Sequence, residues 1–211
     1  MDKILYILDP GHGGLNAQGK YVTPGKRSPK FDDGSVLYEG VNNRRVVNHW
    51  LKEFKKAGLD AIDIVNSNKD ISLSTRVTNA NKIGRTRPCI YISVHSDAYG
   101  NGSTWEKPSG ISVYTSVGQT TSDKVAEFVL QELICNFEDS VKWRLDNSDG
   151  DKDKEAHFYV LRKTNMPAIL IECGFHTNKG EAQRMLTDEW LDKYTKAVIE
   201  GLKLYEHYDA K

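Results

Sequence analysis

The chain has 211 residues, enough for one domain with a sizeable core, and no linker or change of composition marks a second. Its 29 Lys+Arg balance 29 Asp+Glu, so net charge draws it neither to nucleic acid nor to an anionic membrane. No run reaches membrane-spanning length, no signal segment opens the chain, and the 3 cysteines are an odd number set in apolar stretches, which argues against a disulfide framework. The expectation is a monomer with reduced thiols, made in the cytoplasm without a signal peptide and not inserted into a membrane.

The first predicted strand covers 3–8 and opens into Asp9-Pro10-Gly11-His12-Gly13-Gly14. The glycines let the backbone turn sharply and approach a bound group, leaving the His12 imidazole to point into a crevice. Gly14 to Lys20 follows the phosphate-loop pattern, but Tyr21 stands where a magnesium-binding hydroxyl is needed, and Pro24, Gly25 and Pro29 forbid the helix that would receive phosphate. Beyond this long loop, 15–36, Glu39 lies just ahead of an amphipathic helix whose stripe is Val46, Val47, Trp50, Leu51 and Phe54 and whose stop is Gly58. A carboxylate there either complements the helix dipole or ligates.

A second strand is predicted over 60–65 and a third over 88–94, after which His95 stands where a buried run meets Ser96-Asp97. A loop over 96–109 leads to a strand over 110–115, and Val125, Val129, Leu133 and Phe137 then form a helical stripe. In the third long loop, 139–156, the stretch Asp146 to Glu155 resembles a calcium loop, but Gly150 is misplaced and the closing Glu is missing, so it reads as solvated. Strands over 157–161 and 168–172 follow, and Glu172 ends the second of them, where a carboxylate is costly to bury without a partner. A helix after Thr187, which can cap it, buries Leu191, Tyr194, Val198, Leu202 and Tyr205.

Strands alternating with helices predict an α/β fold: one domain with a twisted, mostly parallel or mixed six-stranded sheet and helices on both faces. In such sheets ligands bind outside the carboxyl ends of the strands. Two imidazoles and carboxylates converging there suggest a zinc hydrolase. A hydrolase built on Cys173 is the rival, though no electropositive setting is visible for that thiol. His49, His157 and His207 have no comparable context and read as surface or packing residues.

The blocks ILDPGHGG, LYEGVNN, LSTRVTNAN, YISVHSDA, SGISVYT and FYVLRKTNMPAILIECGFHTNKGEAQRML, in that order, resemble the zinc-dependent N-acetylmuramoyl-L-alanine amidases of the third amidase family. The resemblance implies one zinc ion per chain held by His12, Glu39 and His95, with Glu172 as the catalytic carboxylate and Arg76 in a structural role. It implies hydrolysis of the amide between the lactyl group of N-acetylmuramic acid and the L-alanine of the peptidoglycan stem peptide. Glycan strand and stem peptide are the expected partners, with Tyr21, Tyr99 and Trp105 as candidate contacts.

Two positions depart from the family pattern, Asp97 and His176; the latter is a candidate for substrate contact or oxyanion assistance or a loop residue without a role. The segment 139–156 is too short and too charged to plug the site as inhibitory helices do in some relatives. The expected domain is 1–211 without a separate wall-binding unit, like the catalytic part of a phage endolysin that reaches the wall after release. A zinc-containing peptidoglycan binder without turnover is the alternative, and the presence of Glu172 argues against it.

Overall fold

The computed structural model describes residues 3–209; the outermost two residues at each end of the expected 1–211 domain lie outside the described residues. In chain order the elements are β1 (Leu5–Pro10), α1 (Glu39–Ala57), β2 (Asp60–Asp63), α2 (Leu73–Gly84), β3 (Cys89–Asp97), β4 (Ser112–Thr115), α3 (Thr121–Phe137), β5 (Lys154–Glu155), α4 (Tyr159–Lys163), β6 (Ala168–Phe175), α5 (Lys179–Met185) and α6 (Asp188–Asp209). They build one six-stranded mixed sheet in the order β2-β1-β3-β6-β4-β5. β1, β2, β3 and β6 run parallel, while β4 is antiparallel to β6 and carries β5 on its outer edge.

Strand alternation divides the core. Tyr6, Leu8, Ile90, Ile92, Ile169 and Ile171 point to one face, where α1, α3 and α6 cover them with the stripes expected from Trp50, Val129 and Tyr194. Leu5, Ile7, Tyr91 and Leu170 point to the other, where Val77 and Ala80 of α2 and Val160 and Leu161 of α4 form a smaller cluster. Long helices on one face and short ones on the other leave a cleft at the carboxyl ends of β1, β3 and β6. Among the described residues no helix is long and apolar enough to cross a membrane.

The expected strand over 157–161 is a correction: the segment is helical from Tyr159, and the sixth strand is the two-residue β5. A short aromatic and aliphatic run does not distinguish strand from buried helical turn by periodicity. Here the turn wins because it drops Val160 and Leu161 together into the smaller cluster, with Arg162 N donating to Phe158 O at 3.1 Å. Helices α2 and α5 each bury a short apolar face, Val77 and Ala80 in one and Ala182 and Met185 in the other, and both are capped, Ser72 accepting from Thr75 N at 3.2 Å and Asn178 from Glu181 N at 3.1 Å. The cap expected at Thr187 is present, its Oγ1 accepting from Trp190 N at 3.2 Å.

The two decoy loops differ in outcome. The stretch resembling a phosphate loop closes as a bridge between Leu15 and Tyr21 without a helix behind it. The acidic stretch Asp146 to Glu155 is not wholly solvated, because Asp153 is 1 % exposed.

Candidate metal centre

Two glycines permit the convergence of three side chains. Gly11 N donates to Val94 O at 3.0 Å, tying the end of β1 to β3, and a Cβ at Gly11 would lie 2.2 Å from the His95 ring. At Gly40, in the first turn of α1, a Cβ would stand 2.0 Å from the carbonyl oxygen of Gly13. These contacts press the helix start and the turn against each other, and His12 completes the turn with φ 62°.

A buried guanidinium fixes the turn from below. Arg76 is paired with Asp9 and donates to Pro10 O at 2.8 Å, to His12 O at 3.1 Å and to Ile71 O at 2.9 Å. Asp9 also accepts from Ser93 Oγ at 2.8 Å, so β1, β3 and α2 share one charged joint. The structural role that the resemblance implied for Arg76 thus has a geometry. Asp9 was not recognised in the sequence; its signal was a carboxylate ending an apolar strand.

His12 Nε2 lies 3.3 Å and His95 Nδ1 3.1 Å from Glu39 Oε1, and the two imidazoles stand edge to face with centroids 5.0 Å apart. Their ligand atoms fall within 4.8 Å of one another. Glu39 is the first residue of α1 rather than a residue ahead of it, and it is 1 % exposed. Burial pushes its carboxyl up, but the two imidazoles outweigh burial and hold it well below the usual carboxylate range. Ser96 N donates to Oε1 at 3.2 Å, while Oε2 is buried and has no hydrogen-bond partner among the described residues.

Glu172 enters from β6, directly opposite His95 in the β3–β6 register. It lies within the strand rather than at its end, and it is only partly buried because it faces the cleft. Burial, reinforced by the charges of Glu39 and Asp97 and opposed by His95, pushes its carboxyl up to about 8. Cys173, the next residue, points the other way into the core, 3.5 Å from Met185 Sδ, and burial raises its thiol well above the ordinary value. A thiol in that setting is not a nucleophile.

The cleft holds about 420 Å³ and is lined by His12, His95 and Glu172 on the polar side and by Ile71, Leu73, Phe158 and Tyr159 on the other. Lys26 also reaches it. The aromatic contacts expected from sequence lie elsewhere: Tyr21 is buried and its hydroxyl accepts from Gly40 N at 3.0 Å, Trp105 packs on Phe31 with centroids 4.9 Å apart, and Tyr99 is exposed outside the cleft. Of the two departures, Asp97 is paired with Arg144 at 2.5 Å. His176 is buried behind Glu39, its Nδ1 3.0 Å from both Ser96 Oγ and Ser96 O and 4.0 Å from Glu39 Oε2. Burial lowers its pKa, and the ring lies behind the ligand cluster, outside the residues that line the cleft.

Residues 7–204 match the profile of a family described as N-acetylmuramoyl-L-alanine amidase. The chain is 24 % identical to the amidase AmiC of Escherichia coli O6:H1 over 239 residues, covering 96 % of itself and 52 % of that protein. It is 25 % identical to the amidase LytC of Bacillus subtilis over 206 residues, covering 94 % of itself and 35 % of that protein. The chain therefore spans about half and about a third of these relatives' lengths. An N-acetylmuramoyl-L-alanine amidase from Clostridium difficile 630 superimposes with a TM-score of 0.78 at 25 % identity, covering 98 % of each chain.

Proposed function

Because the chain belongs to the N-acetylmuramoyl-L-alanine amidase family, we propose that it hydrolyses the amide joining the muramic acid lactyl group to L-alanine of the peptidoglycan stem peptide. His12, Glu39 and His95 would hold one zinc ion. Two imidazole nitrogens and a carboxylate oxygen within 4.8 Å form a suitable donor set, and the orphaned Oε2 of Glu39 is an acceptor that a cation would satisfy. When bound, the ion would supply the Lewis acidity that polarises the scissile carbonyl and makes water nucleophilic near neutral pH.

The residues of the chain supply the rest. Glu172 takes a proton from the attacking water as its oxygen bonds to the lactyl carbonyl carbon, then gives that proton to the L-alanine nitrogen as the C–N bond breaks. To take that proton Glu172 must be ionised, and a cation held by His12, Glu39 and His95 would draw its carboxyl down from the raised value that burial sets, toward the operating pH. Leu73, Phe158 and Tyr159 offer apolar wall to the stem peptide or sugar faces. Arg76 keeps the His12 turn in place without touching substrate. The chain works as a monomer, with peptidoglycan as its partner.

The observation carrying this reading is the register that sets Glu172 opposite His95, putting a proton acceptor in the same cleft as the ligand cluster. The test is digestion of purified sacculi. New amino groups on L-alanine should appear without new reducing sugar ends, and Glu172→Gln should slow their release by ~10²–10⁴-fold while zinc content stays the same. Reducing ends without L-alanine amines would indicate a glycosidase, and sacculus binding with no product at all would leave a binding protein.

A further inference from the structure

His176 is buried, and an irregularity in the sheet puts it there. Between the pairs His95–Glu172 and Asp97–Phe175, β6 carries one residue more than β3, so Cys173 and Gly174 together oppose Ser96, with Gly174 at φ 133°. Beyond this bulge His176 N donates to Asp97 O at 2.9 Å, and the imidazole turns back onto Ser96.

A carbonyl oxygen can only accept, so His176 Nδ1 carries the ring hydrogen and shares it between Ser96 O and Ser96 Oγ, each at 3.0 Å. Ser96 is buried too, and its own N–H donates to Glu39 Oε1 at 3.2 Å, the oxygen that both ligand imidazoles approach. Apart from those imidazoles, Ser96 N is the only donor to the Glu39 carboxylate among the described residues. The same His176 Nδ1 stands 4.0 Å from Glu39 Oε2. One ring therefore fixes the residue that anchors Glu39 and fills the space behind its second oxygen.

We propose that His176 is a positioning residue of the metal centre: by holding Ser96 it sets the orientation of the Glu39 carboxylate, and hence how tightly His12, Glu39 and His95 retain their ion. The inference rests on the reading of those three residues as zinc ligands. The last torsion of a glutamate is broad, so the carboxylate keeps one orientation only where its surroundings impose it. Partners that hold metal ligands from behind typically carry about 10–100-fold in metal affinity. His176 does not line the cleft, so its effect falls on the ligand and not on substrate.

The full-length protein, stripped of metal, is titrated with zinc against a chromophoric chelator, which reads affinity without turnover, and urea melts of the metal-free forms report folding. His176→Leu keeps much of the bulk without the hydrogen bond and should weaken zinc binding by about 10–100-fold. In His176→Asn the amide nitrogen can stand near the place of Nδ1 and should restore most of that affinity; in His176→Gln it stands one bond further out, near the place of Nε2, and should not. The comparison of Asn with Gln decides the matter even where His176→Leu fails to fold. Zinc bound as tightly by His176→Leu as by the parent protein, or no difference between Asn and Gln, would overturn the proposal alone. A parent protein that binds no zinc would overturn the reading of the centre, and the proposal with it.

Discussion

Glu39 and Asp153 are buried to the same degree, each 1 % exposed, yet their carboxyls are driven in opposite directions. Glu39 is held well below the carboxylate range because two imidazoles outweigh its burial, and Asp9 in the same region is paired with Arg76. Asp153 is pushed up to about 7, because burial is joined by other acids and opposed only by the Thr115 hydroxyl. Desolvating a carboxylate costs free energy in both places. At Glu39 and Asp9 the chain meets that cost with its own basic groups; at Asp153, as at Glu172 in the cleft, burial prevails and the cost falls to a proton.

The contrast can be broken most severely at the cleft. His95→Ala removes one of three ligands and should lower sacculus turnover beyond the ~10²–10⁴-fold that a general base contributes, with zinc lost in metal analysis. Retention of zinc and turnover would detach His95 from the centre. Arg76→Met should destabilise by about 3–5 kcal/mol, since it strands Asp9 as a buried unpaired charge; urea melts read this directly. Arg76→Lys should recover only part, because one ammonium does not reproduce the bonds to Asp9, Pro10 O, His12 O and Ile71 O.

Two smaller effects sharpen the comparison. Cys173→Ala should cost about 1 kcal/mol of packing against Met185 and leave turnover within about twofold; loss of turnover in a folded variant would revive the thiol. For Asp153, the folded-state value of about 7 lies above the ~3.9 of an unfolded Asp, so its contribution is fully present below about pH 4 and is lost as pH rises through about 7. Tm should therefore fall less between pH 5 and pH 8 in Asp153→Asn than in the parent chain. Equal slopes would remove the buried charge from the account.

The sequence made the cleft more legible than the β4–β5 edge around Asp153 for a physical reason. His12, His95 and Glu172 belong to the few residue types that bind metals or move protons, and each adjoins a buried strand end, so their meeting at one sheet end was readable, whereas Glu39, at a helix start where it could equally complement the dipole, joined them only through the family resemblance. The Asp9–Arg76 joint and the place of His176 behind Glu39 depend on contacts across 67 and 80 residues, which no local pattern encodes. The helical turn at Tyr159 depends likewise on what Val160 and Leu161 bury against. Asp153 was misjudged because its charged neighbours in sequence describe a solvated loop, while its spatial neighbours across Thr115 do not.

The central claim is that His12, Glu39 and His95 form one functional metal site, and stoichiometric metal analysis coupled to activity tests it most directly. The purified protein should carry about one zinc per chain, lose sacculus turnover when a strong chelator strips the ion, and regain it on addition of one equivalent of zinc. Undiminished turnover by protein shown to contain no metal would contradict the account.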